Sequence, residues 1–202
     1  MGVARFKSAM VSTPSYDPNP LSSHEPSGIQ ARYKQLAAAD NDPLLNRAIN
    51  QRYPPGSTFK VVVAAAVANR GVLMKPYLVD EVQAPDFREL DRTEPEELST
   101  AVSPDVADGL TRMMRGVVAG GTGRAAQIAG IDVAGKTGTA EDGTDRPPHA
   151  WFIGFAEKDG RKVAVSVIIE NGGNSGSETT GGRAAAPVAR NVMAAVLNAG
   201  GG

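Results

Sequence analysis

Ser57-Thr58-Phe59-Lys60 sets a hydroxyl and an amine three residues apart, directly after Tyr53-Pro54-Pro55-Gly56. On a helix, positions i and i+3 share a face, so the amine can reach the hydroxyl. A serine hydroxyl is a weak nucleophile until a neighbouring base takes its proton. A lysine can be that base once burial or a second cation lowers its pKa. A second lysine, Lys136, stands in GIDVAGKTGTAEDG, residues 130–143. If a strand through Lys136 lies beside the Ser57 turn, two amines and one hydroxyl make an acyl-transfer centre. The helix start would also present the Ser57 N–H to a developing oxyanion.

Lys136 has a rival reading. From Gly130 the letters form G-x-x-x-x-G-K-T, a formal phosphate-cradling loop. Such a loop needs a buried strand before Gly130 and a helix opening at Lys136-Thr137, because helix N–H groups hold the phosphates. GRAAQIA before it is a poor strand, and GTAEDGTDRPPHA after it carries two glycines and two prolines and is no helix. Residues 165–170, VSVIIE, resemble a magnesium-holding strand, but their hairpin partner conflicts with the parallel crossovers of nucleotide hydrolases. The acyl-transfer reading therefore prevails. S-x-x-K arises readily by chance and K-T-G less so; the two in this order, each in a fitting local context, are specific.

These residues need elements to position them. Two prolines and a glycine hold residues 54–56 extended, Ser57 opens a helix and Gly71 closes it. Residues 6–13 read as a short strand, and residues 28–53 as helical pieces broken at Asn41-Asp42-Pro43. Residues 80–100 are acidic and contain proline, which predicts a surface excursion. Ser103-Pro104-Asp105 is a helix opening, followed by an apolar face of Val106, Leu110, Met113, Met114, Val117 and Val118 that ends at GGTG. Residues 150–156 and 163–169 read as strands joined by a tight turn at Asp159-Gly160. A closing helix over 184–198 carries Val188, Val192 and Val196 on one stripe. The Gly- and Ser-rich 172–182 loop reads as solvent-facing chain, His149 as a surface residue, and Met113-Met114 as core. Trp151 reads as packing or as a ring lining the cleft. The predicted class is α+β, an antiparallel sheet flanked by helices.

Composition narrows the function. The 202 residues are 41% hydrophobic, enough for one domain with a core. A net charge of -1 and sparse aromatics leave no footprint for nucleic acid. Cysteine is absent and there are two histidines, which removes thiolate nucleophiles and cysteine or histidine metal cages. Glu141, Asp142 and Asp145 read as a solvated acidic loop, so no metal and no cofactor is expected. No apolar run of signal-peptide or membrane-spanning length occurs, so any membrane anchor is expected outside this chain.

Longer stretches carry a family resemblance. RAINQRYPPGSTFK, AAVANRGVLMKPYLV, MMRGVV with GGTG, VAGKTGTAE, HAWFIGFA and VIIENGG all resemble the transpeptidase domain of class B penicillin-binding proteins of actinobacterial type. The likeness runs from about residue 11 onward. It implies a β-lactamase/transpeptidase-like fold, residues 1–202 as one shortened domain, and work at the extracytoplasmic face of the bacterial membrane. It implies a D,D-transpeptidase that cross-links peptidoglycan stem peptides and is acylated by β-lactams. Ser57 would be the nucleophile and Lys60 the base. Lys136, Thr137, Gly138 and Thr139 would hold the substrate, with the Thr139 N–H as second oxyanion donor.

The sequence departs from the family at one place. The family's third motif, S-x-N, occurs nowhere in the 202 residues. In the family it lies in a helical region between the S-x-x-K helix and the segment resembling AAVANRG; here STFKVV runs directly into that segment. The helical subdomain is therefore expected to be largely absent. In the family the serine of S-x-N relays a proton between lysine and leaving group, and loss of such an acid–base relay commonly costs about 10²- to 10⁴-fold. A non-catalytic remnant of the fold is the alternative reading.

Overall fold

The computed structural model describes residues 10–57, 63–75, 77, 79, 81–141 and 143–199. Lys60 and the first turns of its expected helix lie outside the described residues. The chain divides into two compact units, Lys7–Tyr53 and one that comprises Pro54–Gly202.

In the smaller unit, α1 (Pro26–Ala37) opens on its proline. The chain then breaks at Asp42, whose φ is 43°. Helix α2 (Arg47–Asn50) follows, capped by Asn46, whose side chain accepts the Ala48 N–H at 3.1 Å. Ser12 ties the unit together: its Oγ accepts the Arg47 N–H at 3.0 Å and donates to the Leu45 carbonyl at 3.2 Å. Residues 10–13 form no strand, and the rest of the strand expected over 6–13 lies outside the described residues.

The larger unit is built on an antiparallel sheet of β5 (Val133–Ala140), β6 (His149–Lys158) and β7 (Arg161–Ile169), in that order. Asp159 and Gly160 join β6 to β7 with φ of 51° and 75°, the left-handed pair that a two-residue hairpin needs. Period-two alternation gives the sheet two faces. Val133, Phe152 and Ala156 face α5 (Ala186–Asn198), while Ala134, Ile153 and Phe155 face α3 (Val63–Ala68) and α4 (Pro104–Ala119). The Phe152 ring, fully buried, lies across the paired Gly135 and Gly154; a methyl at Gly135 would come 2.3 Å from its Cζ. The expected α+β architecture is thus what the chain adopts. No helix among the described residues is long and apolar enough to cross a membrane.

Helix α4 buries most of its expected face, with Leu110, Met114, Val117 and Val118 turned inward, whereas α5 buries a neighbouring stripe. On α4, Ser103 caps the start as anticipated, but Ala107, Met114 and Val118 are buried while Val106 and Met113 are 50% and 63% exposed. On α5, Ala186, Ala189, Met193 and Leu197 are buried and the three valines stand at the flank, over 40% exposed. Alanine lets a helix lie close on a sheet, so the small residues mark the contact line better than the valines do.

The acidic excursion is folded. Strand β1 (Val72–Met74) pairs with β4 (Glu97–Thr100), and β2 (Glu81–Gln83) with β3 (Glu89–Arg92). Arg92 bridges Glu81 and Glu89. The 172–182 loop is corrected in part: Gly173, Asn174, Ser177, Glu178 and Thr180 are exposed as expected, but Gly172, Thr179 and Gly181 are buried. Thr179 is 2% exposed and its Oγ1 donates to the Gly172 carbonyl at 2.6 Å, while the Gly172 N–H bonds the Pro148 carbonyl at 2.9 Å. A buried carbonyl left without its donor costs about 1–3 kcal/mol. Thr179→Val keeps the shape and removes the donor, so its thermal midpoint should fall by about 4 °C in a calorimetric scan.

Candidate active site

Ser57 is exposed and sits with Gly56 in one helical turn after the extended Tyr53-Pro54-Pro55. Gly56 has a φ of 52°, and its backbone lies flush on β5. A methyl there would stand 2.9 Å from the Thr139 carbonyl oxygen and 2.9 Å from Ala140 Cβ. The turn that carries Ser57 therefore abuts the end of the K-T-G-T strand.

The edge of that strand follows from backbone geometry. In an antiparallel strand, the N–H and C=O of one residue point to the same side. The Thr139 carbonyl faces Gly56, so its N–H faces the same edge, away from the paired β6. Thr137 has the parity of Thr139, and Lys136 Nζ donates to the Thr137 carbonyl at 2.6 Å. The Lys136 amine, the Thr139 amide and the Ser57 turn thus share one edge. Lys136 lies inside a strand with no helix at Lys136-Thr137, which removes the phosphate-loop geometry.

The other predicted residues sit differently. Gly138 pairs with Trp151 across the ladder. Thr137 is buried, and its hydroxyl lies 2.7 Å from Thr122 Oγ1 in the GGTG turn. Reading GGTG as a helix stop missed this: Thr122 orients the Thr137 hydroxyl. Gly181 was missed as well. A methyl at Gly181 would stand 2.0 Å from the Trp151 carbonyl oxygen and 2.6 Å from that of Gly138, so the run into α5 rests directly on the K-T-G strand. The indole Nε1 of Trp151 donates to the Pro54 carbonyl at 3.0 Å, so this ring does more than pack.

His149 needs correction. It is 5% exposed, not a surface residue, and its Nδ1 accepts the Asn171 N–H at 3.1 Å. The loop after β7 folds over it, a tertiary event with no local signal.

The chain is similar to known proteins in sequence and in fold. The family model for the penicillin-binding protein transpeptidase domain matches residues 7–68 and 63–194. Peptidoglycan D,D-transpeptidase PbpA of Mycolicibacterium smegmatis is 30% identical across 95% of this chain. The chain spans 65% of that relative's length. The 319 aligned positions exceed the 202 residues here, so the alignment opens more than a hundred positions inside this chain. Among solved structures, a ceftriaxone acyl-enzyme complex of penicillin-binding protein A from M. tuberculosis superposes with a TM-score of 0.85 at 28% identity. It covers 93% of this chain and 70% of that one. A second structure of that protein gives 0.80 at 30% identity, over 93% of this chain and 72% of its own. With the family model matched over most of its length, the chain belongs to the penicillin-binding protein transpeptidase family.

Proposed function

We propose that this chain is the acyl-enzyme-forming part of a peptidoglycan D,D-transpeptidase, with Ser57 as nucleophile and Lys60 as its base. Ser57 Oγ attacks the carbonyl carbon between the two D-alanines of a stem peptide, and its proton passes to the Lys60 amine. The carbonyl electron pair moves onto oxygen, where the N–H groups of Ser57 and Thr139 receive it. Collapse breaks the C–N bond, and the departing D-alanine takes the proton from Lys60. An amine from a neighbouring stem then runs the sequence in reverse and frees Ser57. Lys136, Thr137, Gly138 and Thr139 hold the terminal carboxylate. A β-lactam offers the same amide in a ring, so its leaving nitrogen stays attached and the acyl-serine persists.

The observation that carries this reading is the seat of Gly56 against Thr139 and Ala140, which brings the hydroxyl turn and the amide-bearing edge together. Acyl-enzyme complexes of the M. tuberculosis relative with ceftriaxone, imipenem and penicillin G support it by likeness. One family model matching both 7–68 and 63–194 supports residues 1–202 as one shortened domain. The two matches meet at 63–68, where the S-x-N-bearing region is missing on this reading. Peptidoglycan as substrate puts the work outside the cytoplasmic membrane.

The test is intact mass after incubation with penicillin G. An increment equal to the whole drug supports the acyl-enzyme. No increment at millimolar drug favours the non-catalytic remnant, for which the missing S-x-N already argues. Thr122 offers a finer check. Thr122→Val leaves the Thr137 hydroxyl without its partner and should slow acylation about 5- to 10-fold, a change of about 1 kcal/mol. Thr122→Ser should restore most of the rate.

A further inference from the structure

The turn before Ser57 is tied to a strand far from it in sequence. Pro54 and Pro55 both lack an N–H, so this stretch has few donors with which to close its own hydrogen bonds. Part of the restraint comes from β6. Trp151 lies on the face that carries Ile153 and Phe155, and its indole Nε1 reaches the Pro54 carbonyl at 3.0 Å, across 97 residues of sequence. Its cross-strand partner is Gly138. Opposed side chains on one face stand about 5 Å apart, so a side chain at 138 would crowd the ring. The glycine of K-T-G brings no side chain there. Gly56, two residues after Pro54, meets Thr139 one residue beyond Gly138. The indole bond to β6 and the glycine contact with β5 thus hold the same short turn onto one end of the paired strands.

We propose that Trp151 is a positioning residue for acyl transfer: its indole N–H sets the Ser57 hydroxyl against the β5 edge. The inference rests on the reading of Ser57 as nucleophile. Misplacing a reacting group by about 1 Å commonly costs about 10²-fold in rate, while loss of one neutral, partly buried hydrogen bond changes stability little.

The test replaces Trp151 with 3-benzothienylalanine, which keeps the bicyclic shape and puts sulfur where the N–H was, and separately makes Trp151→Phe. Acylation by a fluorescent penicillin is followed over a range of drug concentrations. The expected result is a 10- to 100-fold lower maximal acylation rate in the isostere, an unchanged half-saturating concentration and a thermal midpoint within about 2–4 °C of the parent. The chain has one tryptophan, so its indole N–H gives a single nitrogen-15 signal. Slow exchange of that proton with deuterium oxide is expected in the parent. An isostere that acylates at the parental rate, or an indole proton that exchanges as fast as an exposed one, overturns the positioning role alone. A parent chain that takes up no drug overturns the nucleophile assignment, and the positioning role with it.

Discussion

Ser57→Ala leaves the fold intact and abolishes the drug-sized mass increment. Ser57 is exposed at the start of a turn, so truncating it removes little packing. If Ser57 also caps the helix, the loss is about 1 kcal/mol, well short of unfolding a domain. The chemical effect is of another order. Without Oγ no bond to the carbonyl carbon can form, and removal of a serine nucleophile can cost about 10⁶-fold. Intact mass and a thermal scan on the same sample separate the two contributions. A variant that melts like the parent and stays unlabelled supports acylation at Ser57. An increment that persists in the variant moves the nucleophile elsewhere and leaves Ser57 as a helix cap.

Gly181→Ala should lower the thermal midpoint by about 10 °C. The new carbon would lie 2.0 Å from the Trp151 carbonyl oxygen, 2.6 Å from the Gly138 oxygen and 2.9 Å from the Gly138 nitrogen. All three are backbone atoms of paired strands, so no side chain can swing aside. Either the run into α5 lifts off the sheet or β5 and β6 separate. Overpacking of this kind costs about 3 kcal/mol or more, and each kcal/mol moves the midpoint of a chain this size by about 2–4 °C. The same displacement would shift Gly138 and its neighbours, so acylation should fall together with stability. Gly116→Ala is the matched control. It sits inside α4 with nothing within 4 Å of the added carbon, and alanine is the better helix former. Its midpoint should rise by about 2 °C. Equal effects at the two sites would refute the close approach at Gly181.

Much of the fold could be read from local letters. Ser103-Pro104-Asp105 announces α4, Asp159-Gly160 announces the β6–β7 turn, and Gly71 announces the end of α3, because each demands a backbone geometry its own side chains dictate. Helix faces were legible to within a neighbouring stripe. Val188, Val192 and Val196 have the right spacing, but Ala186, Ala189 and Met193 make the contact, since closeness of approach outweighs hydrophobicity of the single residue. The ends of the 172–182 loop, Gly172, Thr179 and Gly181, were misread because glycine and threonine look alike whether a loop is solvated or threaded into a gap only glycine fits.

The same division runs through the candidate site. Motif order and spacing singled out Ser57, Lys60 and Lys136 as candidates, and longer stretches linked the chain to its family and through it proposed Thr137–Thr139, because acyl-transfer chemistry constrains residue types over three or four positions. Letters alone could not seat the Ser57 turn on Thr139 through Gly56, turn the Thr137 hydroxyl to Thr122, hang the Pro54 carbonyl from Trp151, or bury His149 under Asn171. Those are contacts between segments far apart in sequence. They are decided by how the sheet and its covering helices close on each other, where steric fit and paired polar groups act across space rather than along the chain.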